Sequence, residues 1–596
     1  MFLRYTQRKK DGKLHRYWSI VENHRGEGRR VIQRQVLYLG EINDSQKAAW
    51  CRSIEVFESG TGHWRQVALF PEDREAPELA HEVVHVCLDK LQLRRPRQWG
   101  ACWLACELWQ QLRLDDFWRE RLRPSREGTD WLDVLKILAS YRLIDPGSEW
   151  RLHREWYHRS AMGDLLGRTG EAIELQSLYR CTDKLLEHKR GLFSFLTERW
   201  RDLFQAGYEV LLFDLTSTYF ECDPPGHGKR RYGYSRDKRP DCVQVVIGLV
   251  ITPEGFPLAY EVMAGNTSDK TTLKGFLEEI EKQYGKANRV WVMDRGIPTE
   301  DVLREMREAS TPVFYLVGTP RGKLTKLEKE FLKLEWAQVK DSLEVKLLLQ
   351  EGELYILARS QGRREKERAI RRRRLKQLWK RLHELQRQKL TRDELLLKLG
   401  AAKAEAGKAY RLVEVQVPKA EEPVSAETFA FSLRKEKLRA AMHSEGHYLL
   451  RSNLSGEDPA ILWQRYIQLT EIEAAFRNLK DDLAIRPIHH QKDPRIEAHI
   501  FVAFLVYCLY VTLQHRLRAL APGLTARAVI EKMSAIQMID VHLPTTDGRL
   551  LILSRYTQPE PDHQLLLQRL HLTLPAQPPP KISRPDENYA TNAVAL

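Results

Sequence analysis

Residues 210–220, VLLFDLTSTYF, carry the reading that decides the fold. Val210–Thr218 is β-rich, and its apolar start is interrupted by one carboxylate, Asp214. Two more β-rich runs follow, Gln244–Thr252 and Pro257–Met263. The period then turns helical over Asp269–Tyr284, strand-like over Ala287–Asp294, helical over Glu300–Glu308 and strand-like over Pro312–Val317. The order βββαβαβ predicts a three-strand antiparallel meander, then a right-handed crossover whose next strand lies parallel beside the first.

On that topology Asp214 lies within the first strand and Asp294 at the C-terminal end of the fourth, so parallel neighbours bring the two carboxylates together. A lone carboxylate in a buried strand is costly, and two on adjacent strands repel each other. A divalent cation removes both problems, and oxygen ligands with room for water suit Mg²⁺ or Mn²⁺. The alternative for either Asp alone is a turn residue at a strand end. A third carboxylate is expected from a helix beside the sheet, Tyr466–Leu483. There Leu469, Ile472, Phe476, Leu479 and Leu483 form an apolar stripe, bordered by a polar one of Tyr466, Thr470, Glu473, Arg477 and Lys480. Glu473 is the expected third ligand, with Glu471 as rival, and Arg477 and Lys480 are cations for phosphate oxygens. Otherwise this is a surface helix with a Glu473–Arg477 ion pair, contributing only a few tenths of a kcal/mol.

Outside this stretch, 596 residues imply several domains at roughly 100–200 residues each. Apolar residues make up 42%, enough for real cores, and 96 Lys and Arg against 81 Asp and Glu leave +15, which points to a polyanionic partner, nucleic acid before membrane. The pattern divides into a small basic β-hairpin module (1–50) and a helical, DNA-binding domain (60–205). A catalytic core (206–320 and 461–520) is split by a mixed insertion (321–460), and a helical or disordered tail (521–596) follows. Tyr17–Glu22 and Val31–Leu39 are the hairpin's strands. The insertion carries a basic helical arm, 361–400, with 13 Lys or Arg against 3 Glu in Gln361–Leu390. That run is either a solvated charge face or a DNA-backbone clamp. MFLRYTQRKKDGK has no apolar core and the longest apolar run, Ile500–Leu513, is too short for a span, so an intracellular protein with a buried helix there is predicted. Eight cysteines without a CxxC pair suggest neither a disulfide framework nor a zinc module.

The trio Asp214, Asp294, Glu473, the spacing Tyr466-x6-Glu473-x6-Lys480, and the phrases YGYSRDKRPD and GFPLAYEVMAGNTSD together resemble the DDE transposases of bacterial insertion sequences. The similarity is to the Tn5-like group with an insertion domain in its core. It implies an α/β fold, a ribonuclease-H-like mixed sheet interrupted by the insertion and preceded by the β module and the helical domain. It also implies two Mg²⁺ ions, possible replacement by Mn²⁺, and in-line attack of water or a DNA 3′-hydroxyl on phosphodiesters. Cleavage at terminal inverted repeats, joining of 3′ ends to target DNA, a homodimer on double-stranded DNA, no membrane partner and a cytoplasmic, nucleoid-associated prokaryotic setting follow. In this resemblance Tyr466, Arg477 and Lys480 face DNA, and the basic-aromatic loop with Tyr232, Tyr234, Arg236, Lys238 and Arg239 touches its backbone or a flipped base. One departure is Leu469, where that group often has Arg; its role then falls to Arg465 or Arg477 or is absent.

The competing enzyme is a ribonuclease-H-like structure-selective nuclease or resolvase, which needs the carboxylates but no end recognition. A non-catalytic DNA-binding protein would have lost a carboxylate. Gly318-Thr-Pro-Arg-Gly-Lys does not fit a phosphate-binding loop. Tyrosine recombination, suggested weakly by His489-His490 after Arg486, would need no metal.

Overall fold

The computed structural model describes residues 85–583, except 169–172, 226, 310, 312, 320–326, 328–329, 341–342 and 421. Before residue 85 it describes the strands Phe2–Lys10, Lys13–Arg25, Val31–Glu41, Glu55–Glu58 and His63–Arg65. The first three form an antiparallel sheet, so the expected hairpin gains a third strand; its turn at 26–30 and the last residues, 584–596, lie outside the described residues.

The chain divides into two compact units. One comprises 112–122 and 180–512, and the other the remaining segments, 1–111, 123–179 and 513–596. The first is built on a nine-stranded mixed sheet. Its strands are β1 (Val210–Phe220), β2 (Val243–Ile251), β3 (Pro257–Ala264), β4 (Val290–Met293), β5 (Phe314–Gly318), β6 (Ala337–Lys340), β7 (Leu343–Gln350), β8 (Glu353–Ser360) and β9 (His447–Ser452), in the order β3-β2-β1-β4-β5-β9-β8-β7-β6. β1, β2 and β3 are the antiparallel meander, and β4 runs parallel to both β1 and β5. The βββαβαβ order is present, with α1 (Leu273–Tyr284) and α2 (Glu300–Glu308) as the two helices.

The apolar runs explain this placement. All nine residues of β2 are buried, which suits a strand covered on both faces. Leu211, Phe213 and Leu215 of β1 pack with Trp291 and Met293 of β4 against Phe276 and Ile280 of α1 and Leu303 and Met306 of α2. The strand expected over Ala287–Asp294 is only Val290–Met293, because Asp294 falls past the last ladder pair. The run at 500–513 belongs to a longer helix, Asp493–Leu520, whose most apolar window is 89% buried inside the protein. There Tyr507 Oη donates to the Gly255 carbonyl at 2.9 Å and Phe504 stacks on Tyr260 at 4.0 Å.

Two expectations need correction. The insertion's strands continue the core sheet, because β9 pairs antiparallel with both β5 and β8. The helix expected over Tyr466–Leu483 is three pieces: α5 (Pro459–Ile467), α6 (Leu469–Arg477) and a π-helical turn, Asn478–Asp482. Around Gln468 the i→i−4 ladder is disturbed, its N–H being shared between the Gln464 and Arg465 carbonyls. The basic arm is a helical hairpin, α3 (Gln361–Arg387) and α4 (Arg392–Ala406). It is closed by the leucine seam Leu378, Leu382, Leu385, Leu395, Leu399 and by a capping box at Thr391 and Glu394.

In the second unit, residues 521–583 are not a tail. Helices Ala526–Met533 and Pro561–Arg569 flank strands Gln537–Pro544 and Leu550–Tyr556. Gln537–Pro544 pairs with Gln92–Gln98, inside the segment expected to be helical. Buried Arg97 ties this sheet together, 2.7 Å from Asp164 and 2.9 Å from Asp540. Among the described residues all seven cysteines are free.

Candidate active site

The parallel register pairs Phe213 with Met293, so Asp214 and Asp294 are the next residues on neighbouring strands. Phe213 and Leu215 face the α1–α2 side, and alternation sends Asp214 to the other face, where α6 packs against β1. Asp214 is half-buried, whereas Asp294 and Glu473 are exposed. Burial, followed by the charges of Asp294 and Glu473, pushes the Asp214 carboxyl up to about 7, against a backbone hydrogen bond at Leu215 and the Arg236 guanidinium. Three carboxylates from β1, the end of β4 and α6 therefore share one electrostatic site. Glu473 and Arg477 do not form the ion pair that a plain surface helix would offer.

Gly318, the last residue of β5, lies against this site. A Cβ there would sit 2.7 Å from Tyr466 Oη and 3.2 Å from both Asp294 Oδ1 and the Arg295 N. The Tyr466 phenol is held above its ordinary range by burial and then by Asp294. Across the helix break, Tyr466 on α5 lies near Asp294 and Glu473 on α6 acts on Asp214.

The expected cations divide into free and occupied ones. Arg477 is exposed and has no ion-pair partner among the described residues. Lys480, expected to face phosphate, lies 2.6 Å from Asp237, which Arg486 also bonds, and its side chain is only 12% exposed. Burial holds this ammonium below its usual range. Arg465, the other residue named for the role of the Arg missing at Leu469, pairs with Glu457 at 3.3 Å.

The basic-aromatic loop is anchored. Gly233 passes so close to the Gly265 carbonyl that a Cβ would lie 1.9 Å from its oxygen. The Arg236 backbone N–H donates to Ser217 Oγ at 3.2 Å, and its guanidinium pairs with Asp269 at 2.5 Å. Arg239 bonds Glu221 and Asp241, both at 2.9 Å, and lies over the Tyr219 ring. Tyr234, 83% exposed, Tyr232 and Lys238 face solvent. Asp237 is absent from the sequence reading, and Arg486 and Gly318 enter it only through motifs unrelated to this site. Asp237 lies inside YGYSRDKRPD, whose cations and aromatics alone point to DNA; the other two carry no local signal.

The donor set fits a hard divalent cation. All three groups are carboxylates, the hard oxygen donors such a cation prefers, and burial, then the charges of Asp294 and Glu473, pushes the most buried of them up.

Residues 205–509, more than half of the chain, match the family described as the transposase DDE domain. Residues 3–55 match the N-terminal domain of the IS1634 family transposases. No curated protein matches significantly. Among solved structures the chain is similar to a piggyBac transposase synaptic complex with hairpin DNA. The identity is 8%, over 72% of this chain and 79% of that one, with a TM-score of 0.35.

Proposed function

The chain belongs to the DDE transposase family, a family of DNA-processing enzymes, and from that premise we propose that it cleaves the terminal inverted repeats of its own insertion sequence and joins the 3′ ends to target DNA. The observation that carries this reading is the convergence of Asp214, Asp294 and Glu473 from three separate elements. We read the meander and crossover as a ribonuclease-H-like core. Residues 1–50 and 60–205 are assigned to DNA recognition, 321–460 to an insertion and 521–596 to an accessory segment.

Asp214, Asp294 and Glu473 would hold the metal, with two Mg²⁺ ions, or Mn²⁺ in their place, as the proposed complement. When bound, these cations supply Lewis acidity for the attacking hydroxyl and neutralise charge on the phosphate. The chain's own groups have separate tasks. Exposed Arg477 receives a backbone phosphate next to the carboxylates. The Tyr466 hydroxyl, confined between Gly318 and Asp294, orients the sugar-phosphate entering the site. Lys480 and Arg486, bound to Asp237, hold the basic-aromatic loop against the segment that follows Glu473, so that Tyr234 stands ready to stack on an unpaired base. A homodimer on double-stranded DNA and a cytoplasmic, nucleoid-associated setting complete the proposal.

The test is Mg²⁺-dependent 3′-end cleavage of a duplex carrying the gene's own flanks, comparing wild type with Asp294→Asn. Cleavage at a fixed repeat boundary, lost in the variant and in EDTA, is expected. Cleavage of branched DNA without preference for the flanks would replace this proposal with a structure-selective nuclease.

A further inference from the structure

α3 separates its cations by face. At 100° per residue, Leu375, Leu378, Leu382 and Leu385 mark the inner seam. Three of the cations on the inner side are engaged, while Arg374, on the same side, is exposed with no ion-pair partner among the described residues. Arg363 lies 3.7 Å over the Tyr448 ring and pairs with Glu367, Arg371 pairs with Glu445 at 2.5 Å, and Arg381 pairs with Glu384 at 3.2 Å.

The outer side differs. Lys366, Arg372, Arg373, Lys376, Lys380 and Arg387 are all exposed and fall within an arc of about 120° roughly opposite the seam. Of these six only Lys380 has an acidic neighbour among the described residues, Glu384 at 3.9 Å. The other acid on this arc, Glu365, accepts from Gln361. A surface run that evolves only for solubility gains from interspersed acids at i+4, which partner most helical charge faces. Lys366, Arg373, Lys380 and Arg387 repeat every seven residues, a row about 32 Å long, close to the ~34 Å of one turn of B-DNA.

We propose that the outer face of α3 is a binding site for the phosphate backbone of duplex DNA, independent of sequence. The inference rests on the transposase reading for its partner, and it concerns a surface away from the carboxylates. A cation row of this length, paired with an acid only at Lys380, neutralises several phosphates and releases their counterions. The leucine seam and the Glu445 ion pairs hold the helix rigid, so the row is ordered before DNA arrives.

The experiment measures binding of the full chain, in EDTA, to a duplex several turns long that lacks the element's ends, over a range of salt. The fourfold variant Arg372→Gln, Arg373→Gln, Lys376→Gln, Lys380→Gln should flatten the slope of log K against log[salt] by about 3.6, roughly 0.9 for each lost phosphate contact. Its helical circular dichroism should be unchanged, since all four side chains are exposed. Should that variant misfold, Arg373→Gln and Lys380→Gln singly should each flatten the slope by about 0.9. An unchanged slope and affinity would overturn the proposal. So would a loss confined to duplex RNA, which would make RNA the partner. Because binding is read in EDTA on DNA that lacks the element's ends, it needs neither cleavage nor metal, so failure of the arm and failure of the cleavage reading are told apart.

Discussion

Replacing Asp214 by Asn should stabilise the metal-free protein while abolishing its chemistry. The folded carboxyl is pushed from 3.8 to about 7, by burial first and then by Asp294 and Glu473. A folded value above the unfolded one means that between those two pH values the folded state keeps a proton the unfolded state has lost. Stability therefore falls as pH rises through this window and levels off above about 7. About three units at 1.36 kcal/mol each give about 4 kcal/mol, fully present only on the alkaline side. Asn removes the charge but keeps a half-buried amide to be satisfied, so the net gain should be about 1–3 kcal/mol at pH 8 and near zero at pH 4. For a unit of this size that is a rise of roughly 2–6 °C in its unfolding transition. The assay is thermal unfolding of wild type and variant in EDTA from pH 4 to pH 8. Added Mg²⁺ should then stabilise the wild type and close the gap, because the variant has lost a ligand. A variant less stable than wild type at pH 8 in EDTA, or a difference independent of pH, would refute the shared carboxylate site.

Three further outcomes are expected. Gly318→Ala should slow end cleavage at least about tenfold while moving the unfolding temperature little, because the added Cβ meets Tyr466 Oη at 2.7 Å and the site, not the core, must yield; near-normal cleavage would remove Gly318 from the site. Asp237→Asn leaves Lys480 without its carboxylate and Arg486 with only Asp481, at 3.2 Å, and should cost up to about 3 kcal/mol, read by thermal unfolding and by faster proteolysis of the 229–242 loop. Glu353→Gln should destabilise by ~3–5 kcal/mol, since buried Glu353 accepts from Arg307, Tyr315, Tyr355 and Arg451, and a urea midpoint at the wild-type value would show that these cations find other partners.

What was legible in the sequence follows from where the signal is local. The meander and Asp294 could be read because four-residue apolar runs end or break at a single carboxylate, and only one parallel arrangement follows from the order of elements. Of the apolar stripe that led to Glu473, Ile472, Phe476, Leu479 and Leu483 are buried and Leu469, at the break in the helix, is only half-buried. The break at Gln468 was hidden, since that residue continues the helical pattern in composition and only the displaced hydrogen bonds reveal it. Gln92–Gln98 was hidden for another reason. QLRRPRQ has no period-two apolar alternation, and its pairing partner lies more than 400 residues away. Asp237 carried no strand-end signal, and its buried partners come from a distant segment.

The interruption between Asp294 and Glu473 is long in sequence but short in the sheet. The chain leaves the core on β5 and returns on β9, and these strands are hydrogen-bonded neighbours. β8 pairs with the other edge of β9, and α3 starts at Gln361, directly after β8 ends at Ser360. No linker intervenes. Arg451 of β9 strengthens the seam, bonding Glu353 on β8 and, bidentately, Glu300 on α2 at 2.7 and 2.8 Å. At the base of the arm Arg363 lies on Tyr448, the Tyr448 ring meets Tyr466 edge-on at 6.1 Å, and Tyr466 shares the Gly318 site with Asp294. An insertion joined by loops would let its cation row wander relative to the carboxylates. Built as a continuation of the same sheet, it fixes the direction of α3 relative to Asp214 and Asp294 through backbone hydrogen bonds, so a duplex lying on the row has a defined heading with respect to the site.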